Sequence, residues 1–332
     1  MEIFAGTQAG IFVITAAGAE KVLDSPEVRH LCHIDKKLLA ATANGIYLSE
    51  DGGKHWLPSD LRNRQVWQIQ PAADQSIYAA TQPAGLFRST DGGTHWSEIA
   101  SFIQHPDAKH WCVPVDPPLP GRARALVIDA RNPNRLRVGV EVGGIMKSDD
   151  GGCAWELTRP GDNPDIHVLL AHPEDPSELY VSTGYGRSDG IAEMLEGNAG
   201  VFRSTDGGES WQYRWTGVSP RYTRPMCIDP RPPYPLTVGS APSPFSACSD
   251  PGGAGAYLFR SDDRGASWYS IGDQAHAPSS ANFHGLVPSA DKLGSVLVGT
   301  DAGEIWQVDA KAHWQCLASG LPWVMSLMDC RL

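Results

Sequence analysis

The sequence predicts an all-β fold: one seven-bladed β-propeller spanning residues 1–332 as a single domain. Three observations predict it. A Ser-x-Asp-x-Gly-x-x-Trp pattern recurs five times. Its copies are spaced by about the length of one four-stranded sheet. The chain starts one strand short of a repeat and ends with one strand to spare. A chain of 332 residues would ordinarily suggest two domains, but radial repetition lets a single domain grow without one thick core.

The five copies begin at Ser49, Ser89, Ser148, Ser204 and Ser261 and end at Trp56, Trp96, Trp155, Trp211 and Trp268. Each residue type has a physical reason. The Asp carboxylate accepts backbone N–H groups of its own turn, the second Gly supplies a positive φ, and the Trp is a large apolar anchor on the following strand. The motif therefore closes a tight hairpin. Its aspartates stand at 51, 91, 150, 206 and 263, with gaps of 40, 59, 56 and 57 residues, and a degenerate copy without glycines runs from Asp309 to Trp314.

Ahead of the first copy lie three strands, 2–7, 10–15 and 20–23, without the inner strand that begins every other repeat. The segment 323–329 (Trp-Val-Met-Ser-Leu-Met-Asp) is a strand left over at the other end. Placing it beside 2–7 closes the first blade from both ends of the chain and removes a bare sheet edge. Six blades, with the last strand merely covering an edge, is the alternative count.

These motifs resemble the Asp-box, or BNR-repeat, propellers: sialidases, sortilin-like receptors and photosystem II assembly factors. The resemblance implies that the boxes lie between the third and fourth strands of each blade, opposite the usual binding face, and that they are structural.

Composition excludes several classes. The formal charge is −11, which argues against nucleic acid or an anionic membrane as the main partner. Mean hydropathy is −0.27, and no apolar run approaches the ~18–20 residues of a membrane span. The seven cysteines form no CxxC pair, and the first residues lack the basic and apolar regions of a secretory signal. A cytoplasmic protein is expected.

The inner strands align on short apolar cores, such as 125–128 (Ala-Leu-Val-Ile) and 168–171 (Val-Leu-Leu-Ala). The residue before each core is His30, Gln65, Arg124, His167, Arg224, His284 or Trp323. Equivalent positions point the same way in every blade, so these side chains are expected to ring the channel mouth opposite the boxes. Four long connections fall on that face: 101–121 with His110 and Trp111, 184–199 with Tyr185, Arg187, Glu193 and Glu196, 241–255, and 273–283. Loops of this length commonly bind ligands.

Two chemistries fit this ring. His30, His167 and His284 are a sound ligand set for one divalent transition metal, or else serve as acid–base groups. Arg124 and Arg224, with Arg122 and Arg221 nearby, suit a carboxylate or phosphate. The arginines resemble the cluster that holds the substrate carboxylate in sialidases. That likeness implies a Tyr nucleophile with an acidic partner, for which Tyr222, Tyr185 and Glu141 are the candidates. The sialidase motif itself is incomplete, with only Thr223-Arg224-Pro225 present. The expected ligand is small and polar or anionic, met by Arg124, Arg224, Gln65, Trp323, His110, Trp111 and Tyr185. Two readings stand. One is a hydrolase or lyase using the His/Arg pocket; the other is a non-catalytic peptide- or protein-binding scaffold.

Overall fold

A computed structural model describes residues 2–185 and 194–331. Arg187 and Glu193 lie outside the described residues. Among the described residues, seven four-stranded antiparallel sheets are arranged as the blades of a propeller. No described helix is long and apolar enough to cross a membrane.

The first blade runs, from outside to inside, Gly18–Leu23, Gly10–Thr15, Ile3–Thr7 and then Val324–Asp329. Phe4 stands opposite Met328 and Ala5 opposite Leu327. The expected closure is therefore the observed one. Ser326 Oγ donates to the Val28 carbonyl at 2.9 Å, carrying the closing strand over to the second blade. The other inner strands are His30–Ile34, Gln65–Pro71, Arg122–Ile128, Ile166–Ala171, Tyr222–Ile228 and Phe283–Pro288.

Each Ser-x-Asp turn is a small hydrogen-bonded cage. Ser49 Oγ donates to Asp51 Oδ1 and accepts Gly53 N–H, both at 2.8 Å. Asp51 Oδ1 also accepts the N–H groups of Lys54 and His55. Gly53 sits at φ +86°, and a Cβ there would come within 2.3 Å of the Phe4 ring. Conformation and packing thus both demand glycine. In the fifth turn Arg264 replaces the first Gly of the pair at φ 60°. Its guanidinium crosses to Glu178 of the preceding blade at 3.0 Å. Asp309 still accepts the N–H groups of Lys311 and His313, so the degenerate copy keeps its turn.

The tryptophans that follow the turns close the gaps between blades. Trp56, Trp96, Trp155, Trp211, Trp268 and Trp314 each pack at the margin of a different apolar cluster, and each cluster joins two neighbouring blades. A seventh cluster, with Ile3, Ala5, Leu297, Val324 and Leu327, joins the seventh blade to the first without a tryptophan. A second repeat marks inner-strand ends: Asp129-Ala-Arg131, Asp229-Pro-Arg231 and Asp329-Cys-Arg331. In each, the aspartate accepts the N–H of the arginine two residues on. The third copy marks the terminal strand as an inner strand independently of the count of turns.

Deleting residues 323–332 should strongly destabilise the whole domain. The closing strand buries Val324, Leu327 and Met328, each worth about 1.5–3 kcal/mol, and leaves Ile3–Thr7 as a bare edge when removed. Thermal and urea unfolding of the truncated protein check this; a melt like that of the full chain would contradict the closure.

Candidate functional site

The inner strands do more than pave a channel, because most carry a β-bulge near their first residues. The pairing with the second strand skips Trp67, Arg124, His167 and His284 in blades three, four, five and seven. In blade six Arg224 and Pro225 fall in the gap, and in the closing strand Met325 does. A bulge breaks the two-residue alternation and re-aims the extra side chain. All of these residues, with His30 of the second blade, line one cavity of about 730 Å³ along the axis.

This geometry brings together His30, Arg124, His167, Arg224, His284 and Trp323 as the sequence suggests, and it corrects two positions. Gln65 pairs with Gln82 at the strand's start and does not line the cavity; the bulge places Trp67 there. In the closing strand Met325, not Trp323, holds the bulge, although Trp323 still lines the wall and packs edge-on to His284 at 4.6 Å.

Trp67 organises the cationic side. The guanidinium carbons of Arg29, Arg122 and Arg124 lie 4.1, 4.6 and 5.0 Å from its ring centroid. Such contacts are worth about 0.5–2 kcal/mol each. Glu141, at the inner end of Leu136–Glu141, bonds Arg124 at 2.5 Å and lies 3.5 Å from Arg122. Glu27 pairs with Arg29. Burial pushes the Glu141 carboxyl up, but Arg124 and Arg122 outweigh it and hold it below the usual carboxylate range. Glu141 is thus a counter-ion. Arg29 is lowered to about 10, chiefly by burial, with Glu27 pulling the other way and Arg122 and Arg124 adding to the fall.

Across the axis, Tyr222 is buried against His167 at 4.7 Å and Tyr185 at 5.7 Å, with Arg224 5.8 Å from its ring. Burial raises the Tyr222 phenol. His167 Nδ1 lies 2.9 Å from the Thr223 carbonyl; a carbonyl only accepts, so this nitrogen carries a proton. Its Nε2 stands 3.2 Å from Asp165 Oδ1 without the alignment of a hydrogen bond. Asp165 Oδ2 accepts the Tyr185 N–H at 2.9 Å.

The expected three-histidine metal site does not form as a ligand set. His167 Nδ1 is engaged by the Thr223 carbonyl, His30 Nδ1 faces the Ile69 N–H at 3.5 Å, and His284 lies against Trp323. Among the described residues, no three His, Cys, Asp or Glu side chains gather to hold a metal. His110 is exposed at the end of the short helix Pro106–His110, and Trp111 is buried against Phe102 at 5.1 Å. Both lie away from the cavity; Trp111 anchors the insertion to its own blade. Arg221 pairs with Glu196 at 2.9 Å outside the cavity.

Sequence reasoning missed Arg29, Trp67, Asp165 and Glu27. Arg29 directly precedes the ring position His30, so a wider window would have found it. The bulge that selects Trp67 is set by strand pairing and has no local signature.

Several donors at this level have no partner within the protein: Arg29 Nε and Nη1, Arg122 Nε, and the indole N–H groups of Trp67 and Trp323. Buried polar groups are normally bonded, and here five such donors gather around one cavity.

No protein-family model matches the chain. It is 29% identical over 157 residues to a xyloglucanase of Hypocrea jecorina (strain QM6a), a match covering 47% of this chain and 16% of that one. Among solved structures it superposes on the GH74 xyloglucanase from Xanthomonas campestris with a TM-score of 0.62 and 15% identity, over 94% of this chain and 46% of the other. It also superposes on YCF48 bound to D1 peptide, with a TM-score of 0.55 and 18% identity, over 89% and 84%. The chain spans less than half the length of the xyloglucanases. At these identities the solved structures show the fold, a seven-bladed propeller that serves both a hydrolase and a peptide-bound protein.

The half-buried histidines of the cavity wall predict a pH dependence. Burial holds His30 at about 4, against an ordinary value of 6.5, and lowers His284 in the same direction. The unfolded chain therefore takes up protons first. Stability is intact above about 6.5 and falls as pH drops toward 4, by about 3 kcal/mol for His30. His30→Asn should show a smaller loss between pH 7 and pH 4.5 in urea unfolding; an identical loss would show that His30 is not the group responsible.

Proposed function

We propose that the chain is an Asp-box propeller whose channel mouth recognises the anionic group of a small ligand. The observation that carries this reading is the cationic wall itself. Arg29, Arg122, Arg124 and Arg224 outnumber the carboxylates Glu27, Glu141 and Asp165 that face them, in a protein whose overall charge is −11. Low-dielectric walls focus such a local field. Guanidinium groups and indole N–H donors suit a carboxylate or phosphate. The neutral imidazoles of His30 and His284 add hydrogen-bonding capacity without further charge.

Hydrolysis is the second reading, favoured by the 29% identity to a xyloglucanase over 157 residues. The site's ionisation speaks for binding. A glycosidase of the two-carboxyl kind needs one carboxyl protonated as general acid. Burial would raise both Glu141 and Asp165, yet Arg124 with Arg122 holds the first low, and His167 holds the second low. Turnover of xyloglucan oligosaccharides that is lost in Glu141→Gln or Asp165→Asn would establish the hydrolytic reading instead.

Acetate, titrated while tryptophan fluorescence is followed, tests the binding reading. Saturable quenching is expected, since Trp67 and Trp323 line the site. Affinity should fall as ionic strength rises and should drop at least tenfold in Arg224→Gln, the loss of a charge-assisted bond worth about 1.5–3 kcal/mol. Binding indifferent to both salt and Arg224 would overturn it.

A further inference from the structure

We infer that the ligand is a free amphipathic carboxylic acid, its head held at the arginine level and its hydrocarbon body lying down the channel. This rests on the anion-binding reading and adds the nature of the ligand's other end.

The cavity has two levels. Strand order places one below the other, because each inner strand runs from the mouth toward the Ser-x-Asp face at roughly 3.3 Å per residue. The bulge residues form the upper level. One to three residues further along come Val168, Leu170, Met226, Leu286 and Val287. These are aliphatic or thioether side chains, and methionine adapts to an irregular hydrocarbon surface. The strand His284 to Pro288 spans about 13 Å, enough depth for a chain of several carbons, and 730 Å³ lies in the range of small-molecule sites.

The polar groups of the two levels differ in what they have left to offer. In the lower wall they are engaged within the protein. Gln68 donates to the Leu126 carbonyl and accepts the Leu126 N–H. Ser326 Oγ donates to Val28. Asp329 accepts from Ala290 N–H and from Arg331. Burial raises the Cys227 thiol far above its ordinary value, so it stays neutral. In the upper wall Arg29, Arg122, Trp67 and Trp323 keep buried donors without protein partners. A sugar or a peptide threaded downward would bury hydroxyls or amides among groups that cannot bond them, at substantial cost. A hydrocarbon chain carries no such groups.

Calorimetry with acetate, butyrate, hexanoate and octanoate at fixed ionic strength tests this. Affinity should rise by about fourfold per added methylene, as for transfer of CH₂ out of water, until the channel is filled. Octanol should bind at least a hundredfold more weakly than octanoate. Leu286→Gln should reduce octanoate affinity toward that of acetate while leaving acetate binding unchanged, and Leu170→Gln provides the same readout should the first variant fail to fold. Acetate binding with no dependence on chain length would overturn the inference and leave the anion-binding reading standing. Octanol binding as tightly as octanoate would instead remove the anion-binding reading. Tighter binding of N-acetyl-Ala-Leu, a peptide end with a free carboxylate, than of octanoate would replace the free acid by a peptide terminus.

Discussion

Everything at the axis depends on the pairing of Val324–Asp329 with Ile3–Thr7. Each blade buries its faces only against its two neighbours, so an unclosed arc would leave apolar faces at both ends. The closing pair completes the first blade and the seventh apolar cluster together, Val324 and Leu327 packing with Leu297 and Ile305. Only then do seven inner strands surround one channel. Residues as distant in sequence as His30 and Met325 share a wall because the ring is shut.

Within that ring, bulges turn the starts of the inner strands into a cavity wall. A regular inner strand would send alternate side chains into the two flanking blade interfaces. Skipping one residue near the mouth frees a side chain at nearly the same height in blades three to seven and in the closing strand. Charge follows the same division. The turn aspartates at the other end satisfy backbone N–H groups, which hold Asp51 and Asp91 well below the usual carboxylate range. The arginines collect at the mouth. An acidic protein thus carries a cationic well, with the two signs separated along the axis.

The fold was legible because its determinants are local. A five-fold turn motif needs only Ser, Asp, Gly and Trp at fixed offsets, and the surplus strand shows up by counting. The site was legible in part. Arg124, His167, Arg224 and His284 were reachable by aligning strand cores, since the bulge lies just before the core in those blades; His30 opens a strand of regular register. Gln65 failed because the core of blade three was aligned two residues early; nothing in Val66-Trp67-Gln68-Ile69 reveals which residue the ladder skips. Trp111 failed for a different reason. A tryptophan in a long loop looks like a binding residue, yet Phe102 in the same insertion offers it a buried partner. The three imidazoles share a wall, but each is turned to a different neighbour.

The arginine cluster has an energetic cost that bears on its role. Packing Arg29, Arg122 and Arg124 around one indole places like charges together under low solvation, and Arg29 is lowered to about 10 as a result. Glu27 and Glu141 offset only part of this. Folding alone would be served better by apolar residues of similar volume, because buried ion pairs are weak contributors to stability. What the arrangement provides is fixed orientation. The guanidinium planes are held by Trp67 and the carboxylates before any ligand arrives, so binding need not immobilise long side chains. An arriving anion would relieve the repulsion among the arginines and complete the donors that lack partners. The same feature that strains the fold would thus become favourable on binding the proposed anion.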